Sequence, residues 1–166
     1  MTGCQVLCWS KENCASFCQR FPKVASTDLK LTLAQIGALG AMYPVPNAAA
    51  LLSHLLHLLS SESEESTRHL VATAMGKVAA GSDALPTLLQ AVKPGSTLSF
   101  TLAALALYLH TAAARLVAHL PTKEILDTLA PLLSTSLDEK ACDAVASILA
   151  ILVRHHGTAV QQMLTV

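Results

Sequence analysis

Leucines three and four residues apart recur along most of this chain, alternating with stretches where alanine, valine and glycine hold the same spacing, the period of helices buried along one stripe. Helical spacing begins behind Ser26-Thr27-Asp28, three residues able to cap, with Leu29, Leu33, Ile36 and Tyr43 on one side and Pro44 and Pro46 closing it. Asn47 can cap a second helix over about 47 to 60, and the turn SSESEES leads into a third over about 65 to 80, which Gly81 ends as a C-terminal cap. Asp83 caps a short helix to Val92, with Pro86 in its first turn, where a missing amide hydrogen matters least. After the turn Lys93-Pro94-Gly95-Ser96 comes a long helix over about 97 to 119, stopped by Pro121. Thr122 starts the next, in which Pro131 removes a hydrogen bond to Asp127 and is expected to kink or split it. Ser136-Leu137-Asp138-Glu139 has capping-box spacing, and its helix is expected to run to His156 and stop before Gly157, leaving TAVQQMLTV to begin another.

Two of these stretches superpose without a gap. Leu52, Leu55, Leu58 and Leu59 fall on Leu126, Leu129, Leu132 and Leu133 at a constant offset of 74 residues (126 − 52), and Glu65, Val71 and Ala72 fall on Glu139, Val145 and Ala146 at the same offset. Leu85, Leu88, Leu89 and Val92 repeat the spacing of Leu52, Leu55, Leu56 and Leu59 at an offset of 33 residues (85 − 52), so that 74 reads as two repeats. Fixed periods of this size mark helical solenoids, in which each unit buries its apolar face against its neighbours. The expected architecture is all-α: a right-handed α-solenoid of about three helical-hairpin units, at 47–80, 83–119 and 122–156, with half-units at each end, all within 27–166. LLSHLLHLLSSESEESTRHLVATAMGKVA and ILDTLAPLLSTSLDEKACDAVASILAILV each resemble a HEAT or armadillo unit, which places a leucine-rich helix, an acidic turn and an alanine-rich helix in this order. HEAT units often carry an arginine early in the second helix; Arg68 matches, and its counterpart Cys142 does not. Armadillo peptide grooves are typically lined with asparagines, and with only Asn13 and Asn47 available the resemblance does not extend to an importin-like groove. What it implies is a protein-binding scaffold without catalytic activity or cofactor.

Composition narrows this further. Charged residues make up 13% of the 166 residues against about 25% in an average soluble domain, and hydrophobic ones 52%, so there is much to bury. Aromatics are only 4%, which leaves a core of Leu, Ala and Val and favours close-packed helices. Eleven basic and eleven acidic side chains cancel, giving no electrostatic footprint for nucleic acid. The first residues, MTGCQVLCWSKENC, hold no apolar run of signal-peptide length, which implies an intracellular protein of cytoplasm or nucleus with its five cysteines reduced. The segment 98–120 gives an alternative, a membrane-associated helical protein, but it holds Arg115, His110 and His119, and a charge at mid-membrane costs about 3 kcal/mol. No membrane partner is therefore expected.

The residues with chemistry on them have structural readings as well. Cys4, Cys8, Cys14 and Cys18 are candidate zinc ligands, the basis of a second alternative as a small metal-binding helical protein. The five-residue gap between the pairs is short for two elements to meet around a tetrahedron, so residues 1–26 are read instead as a poorly ordered leader with no metal. Cys142, among alanines, is expected in the core. His54 and His57 share a wet face with Ser53, Ser60 and Ser61; His110 and His119 are expected as hydrogen-bonded core groups, and His155 and His156 as the end of a helix. No nucleophile elbow, phosphate loop or zinc-protease pair is present, and the paired carboxylates Glu64-Glu65 and Asp138-Glu139 sit in first turns, where they complement the helix dipole. Gly37 and Gly40 suit close helix packing. Ser61, with Glu64 three residues on, is a candidate phosphosite. The partner-binding face is expected on the second helices, through Arg68, His69, Thr73 and Lys77 of one and Asp143, Ser147 and Arg154 of another. Val160, Met163 and Leu164 in the last segment, with no charged neighbour, point to self-association or to a piece of a longer solenoid.

Overall fold

The leucine and alanine periods become helices separated by short turns. In a computed structural model, residues 29–42, 45, 47–82, 84–114 and 120–164 are described. They form Leu29–Met42 (α1), Ala48–Ser61 (α2), Glu65–Ala80 (α3), Leu85–Ala91 (α4), Leu98–Ala114 (α5), Thr122–Leu133 (α6) and Glu139–Leu164 (α7). Every described element is helical. α1 packs on α3, α3 on α5 and α5 on α7, so the odd-numbered helices lie side by side in chain order. The even-numbered helices lean on them: α2 on α3 and α4, α4 on α3 and α5, and α6 on α7. Leu52, Leu55, Leu59, Met75, Leu88, Leu102, Leu105 and Ile125 fill the space between, each fully buried. The core is built from aliphatic side chains because the composition supplies few others.

Two glycines set how closely the odd helices approach. A Cβ on Gly40 would stand 2.8 Å from the Cα of Val78, and one on Gly76 would stand 2.6 Å from the carbonyl oxygen of Ala104. Backbone thus packs on backbone at α1–α3 and α3–α5. Gly37 has ordinary room, its Cβ position lying 3.5 Å from Lys77 Cδ, so the pair anticipated from the sequence divides its roles. Lys77 lays its stem across Gly37 between the two helices.

The offset of 74 residues reappears in burial. Ala48, Leu51, Leu52 and Leu55 of α2 and their counterparts Thr122, Ile125, Leu126 and Leu129 of α6 are all buried, and α3 and α7 start on the matching residues Glu65 and Glu139. Correspondence fails at the last turn, where Leu59 is buried and Leu133 exposed.

Several expectations are corrected. α6 runs through Pro131 as one helix and ends two residues later; placed in the last turn, the proline removes only a bond that a fraying end gives up at little cost. α7 likewise runs through Gly157 for 26 residues, so TAVQQMLTV is no separate helix through Leu164 and His155 closes none. A glycine inside a helix costs about 1 kcal/mol, too little to stop one that packing sustains. Gly81 does cap α3, with right-handed backbone (φ −87°) instead of the left-handed form. Asn47 stands at the start of α2 in the left-handed region (φ 52°) and caps with its carbonyl, bonded by Leu51 N–H, its side chain making no cap bond. In front of α7 the cap is Asp138, whose Oδ1 accepts the Ala141 N–H at 2.7 Å, in place of the Ser136–Glu139 box. Ala84 is the residue that precedes α4. Cys142 and His110 are exposed, not core, because each sits on a helix face with no neighbour laid over it. His54 and His57 are exposed as anticipated. Ser26-Thr27-Asp28, Tyr43, Pro44, Pro46, Asp83, Arg115, His119, and Cys4, Cys8, Cys14 and Cys18 lie outside the described residues, as do the side chains of His156, Val160, Met163 and Leu164.

Candidate functional site

The N-terminal ends of α3, α5 and α7 converge, and the residues there form two adjoining grooves. One, an open groove of about 390 Å³, has Phe100, Ala103 and Ala106 of α5 along its floor, His69 of α3 on one wall, and Lys140, Asp143 and Ser147 of α7 on the other. The second is bordered by Ser63, Glu65, Arg68, Ser96, Asp138 and Glu139 and shares Ser99, Phe100 and Lys140 with the first. Helix periodicity explains the walls: 69, 140, 143 and 147 fall on positions that the core stripes leave outward.

Phe100 organises this region. Its ring is buried, the Arg68 guanidinium carbon lies 4.3 Å above its centroid, and the His69 ring packs at a tilt 5.1 Å away. Arg68 also donates from Nη2 to the Ser96 carbonyl at 3.1 Å, tying α3 to the turn ahead of α5, while its buried Nε has no hydrogen-bond partner. The arginine matched to HEAT units therefore links one unit to the next. Its counterpart Cys142 has no such turn to reach among the described residues.

Ion pairs bridge the helices above Phe100. Lys140 donates to Glu65 across the start of α5, and His69 Nε2 lies 3.6 Å from the same carboxylate. Hydrogen bonding and charge from Lys140 hold the Glu65 carboxyl below the usual carboxylate range and push the Lys140 ammonium up in turn. A carboxylate so held is a poor proton donor at neutral pH, so Glu65 is placed for recognition instead of acid catalysis. On the α1 side, Lys30 Nζ donates to Glu64 at 2.6 Å, and the Ser66 and Thr67 hydroxyls donate to the same carboxylate. Led by the Lys30 bond, these hold Glu64 at about 2, down from its ordinary 4.5. A carboxyl with a folded-state pKa below its unfolded one stabilises fully above the unfolded value, and that contribution is lost as pH falls from 4.5 towards 2. Lys30→Ala should therefore raise the Glu64 pKa towards its ordinary value, read as a side-chain carboxyl shift titration by NMR. An unmoved Glu64 titration would mean the pair does not persist in solution.

Of the face anticipated from the sequence, the structure brings His69, Asp143 and Ser147 to one groove and Arg68 to the next. Thr73 is exposed one turn along α3, its hydroxyl donating to the His69 carbonyl at 2.9 Å. Lys77 lies over α1, away from these residues, and Arg154 is exposed further along α7. Ser61 ends α2, exposed, with its hydroxyl donating to the Leu58 carbonyl; Ser63, not Ser61, borders the groove with Arg68. Sequence reasoning missed Phe100, Ala103, Lys140 and Glu65 as a group. The scarcity of aromatics was a usable signal for Phe100, but nothing local pairs Glu65 with a residue 75 positions away. Among the described residues no group of three His, Cys, Asp or Glu side chains could hold a metal ion, and no helix is long and apolar enough to cross a membrane. The sequence matches no protein-family model, and comparison with curated proteins and with solved structures gave no match.

Proposed function

We propose that this chain is a non-catalytic protein-binding scaffold built as a right-handed α-solenoid of HEAT or armadillo type. Support for the architecture comes from the side-by-side order of the odd helices and from the offset of 74 residues shared by sequence and burial. The observation that carries the function is the groove across α3, α5 and α7. It offers an apolar floor at Phe100, Ala103 and Ala106 between side chains of both charge signs, His69 and Lys140 against Asp143. Such a surface suits a protein segment that inserts an apolar side chain and flanks it with polar groups. A phosphate on Ser61 would add negative charge at the end of α2 without entering the core, a means of tuning binding more than folding.

Ala103→Arg tests this directly, because Ala103 is exposed and an arginine there fills the groove without touching the core. Partners recovered with the wild-type chain should bind the variant at least tenfold more weakly, a loss of about 1.4 kcal/mol, while the thermal melt is unchanged. Equal recovery by both proteins would remove the groove as the binding site.

A further inference from the structure

The two ends of the row of odd helices carry the two halves of a contact that the molecule makes internally. On α3, Ala74 and Val78 face Gly37 and Gly40 of α1, whereas Gly76 faces Ala104 and Leu107 of α5. α3 thus has one face for the helix before it and another for the helix after it. The second face comprises Gly76 and its buried neighbours Ala72, Met75 and Ala79. Carried forward 74 residues (139 − 65), it becomes Ala146, Leu149, Ala150 and Val153 on α7. There Ala146 and Ala150 are exposed, Leu149 is half-buried and Val153 is 51% exposed. At the other end, an offset of 36 residues (76 − 40) lays Gly40 on Gly76, two glycines in the same kind of close approach. The same offset lays Leu31 and Ala38 of α1 on Thr67 and Ala74, on the α3 face that meets α1. Leu31 is 63% exposed and Ala38 is exposed.

We propose that these two faces bind each other between copies of this chain, α1 of one copy laid on α7 of the next, continuing the internal row from molecule to molecule. The occupant is a second copy because each face is the register equivalent of one side of α3, and the internal contacts already pair those sides. Ala150 stands where Gly40 and Gly76 stand, so its methyl sets the two helices slightly further apart than inside the row. A head-to-tail contact of this kind is heterologous: each copy retains one free face of each type, so association propagates with concentration. It involves a different surface from the groove, and Ala103→Arg serves as a control that leaves it intact.

Sedimentation velocity on the full chain tests the pairing. The wild type should shift to larger species as concentration rises through the micromolar range, while Leu31→Arg and Ala150→Arg should each remain monomeric, one having lost the α1 face and the other the α7 face. Mixed together, the two variants should form a one-to-one complex and stop there, since only one intact face of each type remains. Both positions are exposed, so circular dichroism should report an unchanged fold; Ala34→Glu and Val153→Glu provide a second pair on the same faces. A wild type that stays monomeric at high micromolar concentration would overturn the proposal, as would a mixture that fails to associate. Self-association of Leu31→Arg alone would overturn it too, because α7 would then be pairing with itself.

Discussion

Gly76→Val is expected to destabilise the protein by about 3 kcal/mol, the upper part of the range for overpacking a close-packed interior. Even the first carbon of a side chain at this position would lie 2.6 Å from the Ala104 carbonyl oxygen and 3.0 Å from Leu107 Cβ. The oxygen belongs to the α5 backbone and cannot swing aside, so α3 and α5 must separate and open contacts along their length. Gly76→Ala meets the same obstacle with fewer atoms; it gains about 1 kcal/mol of helix propensity and is expected to remain net destabilised, by less than the valine variant. Gly157→Ala is the control: nothing lies within 4 Å of its Cβ position, so propensity alone acts and stability should rise by up to about 1 kcal/mol. Urea unfolding followed by circular dichroism gives all three values on one scale. A gain in stability from Gly76→Ala would show that α3 and α5 do not approach so closely.

The second large effect separates two leucines that the sequence makes equivalent. Leu59→Ala should cost about 2 to 5 kcal/mol, the range for removing a leucine from a packed core, because Leu59 is 0% exposed beneath the α2–α3 turn. Leu133→Ala, at the matching position 74 residues on, should cost less than about 1 kcal/mol, because half of Leu133 is already in solvent. The difference arises at the helix end. α2 continues to Ser61, whereas α6 stops at Leu133, two residues short of the matching position, with Pro131 in its last turn. Equal losses in the two variants would restore full equivalence of the units and contradict the burial.

Helix placement was largely legible because it depends on neighbours in sequence. The stripes of Leu52, Leu55 and Leu59, of Val71, Ala74 and Val78, and of Ile125, Leu126 and Leu129 are buried where their period places them. The offset of 74 residues fixed the paired starts at Glu65 and Glu139. Punctuation was less reliable, and for one reason: Pro131 and Gly157 weaken a helix by amounts that packing along the rest of it overrides. The local propensity at 157 says stop, and α7 continues.

Coverage of the remaining faces could not be read in the same way. Ala79 and Val153 occupy the same position in equivalent helices, yet Ala79 is buried and Val153 half exposed, because α3 has a neighbour on each side in the row and α7 has α5 on one side only. The same cause leaves Cys142 exposed where Arg68 is engaged by Ser96 and Phe100. The groove depends on distance in the same sense. Phe100 collects Arg68 and His69 from one helix, and Lys140 reaches back over α5 to Glu65, pairings set by helices lying side by side and not by any spacing along the chain. By itself, then, the sequence determined the helices, their repeat and their inward stripes, since hydrogen bonding within a helix and the 3.6-residue period act over a few residues. Which other faces are covered, and which side chains meet across them, was decided by the tertiary structure, because each helix finds its neighbour in the row some 33 to 41 residues away, from 98 − 65 to 139 − 98.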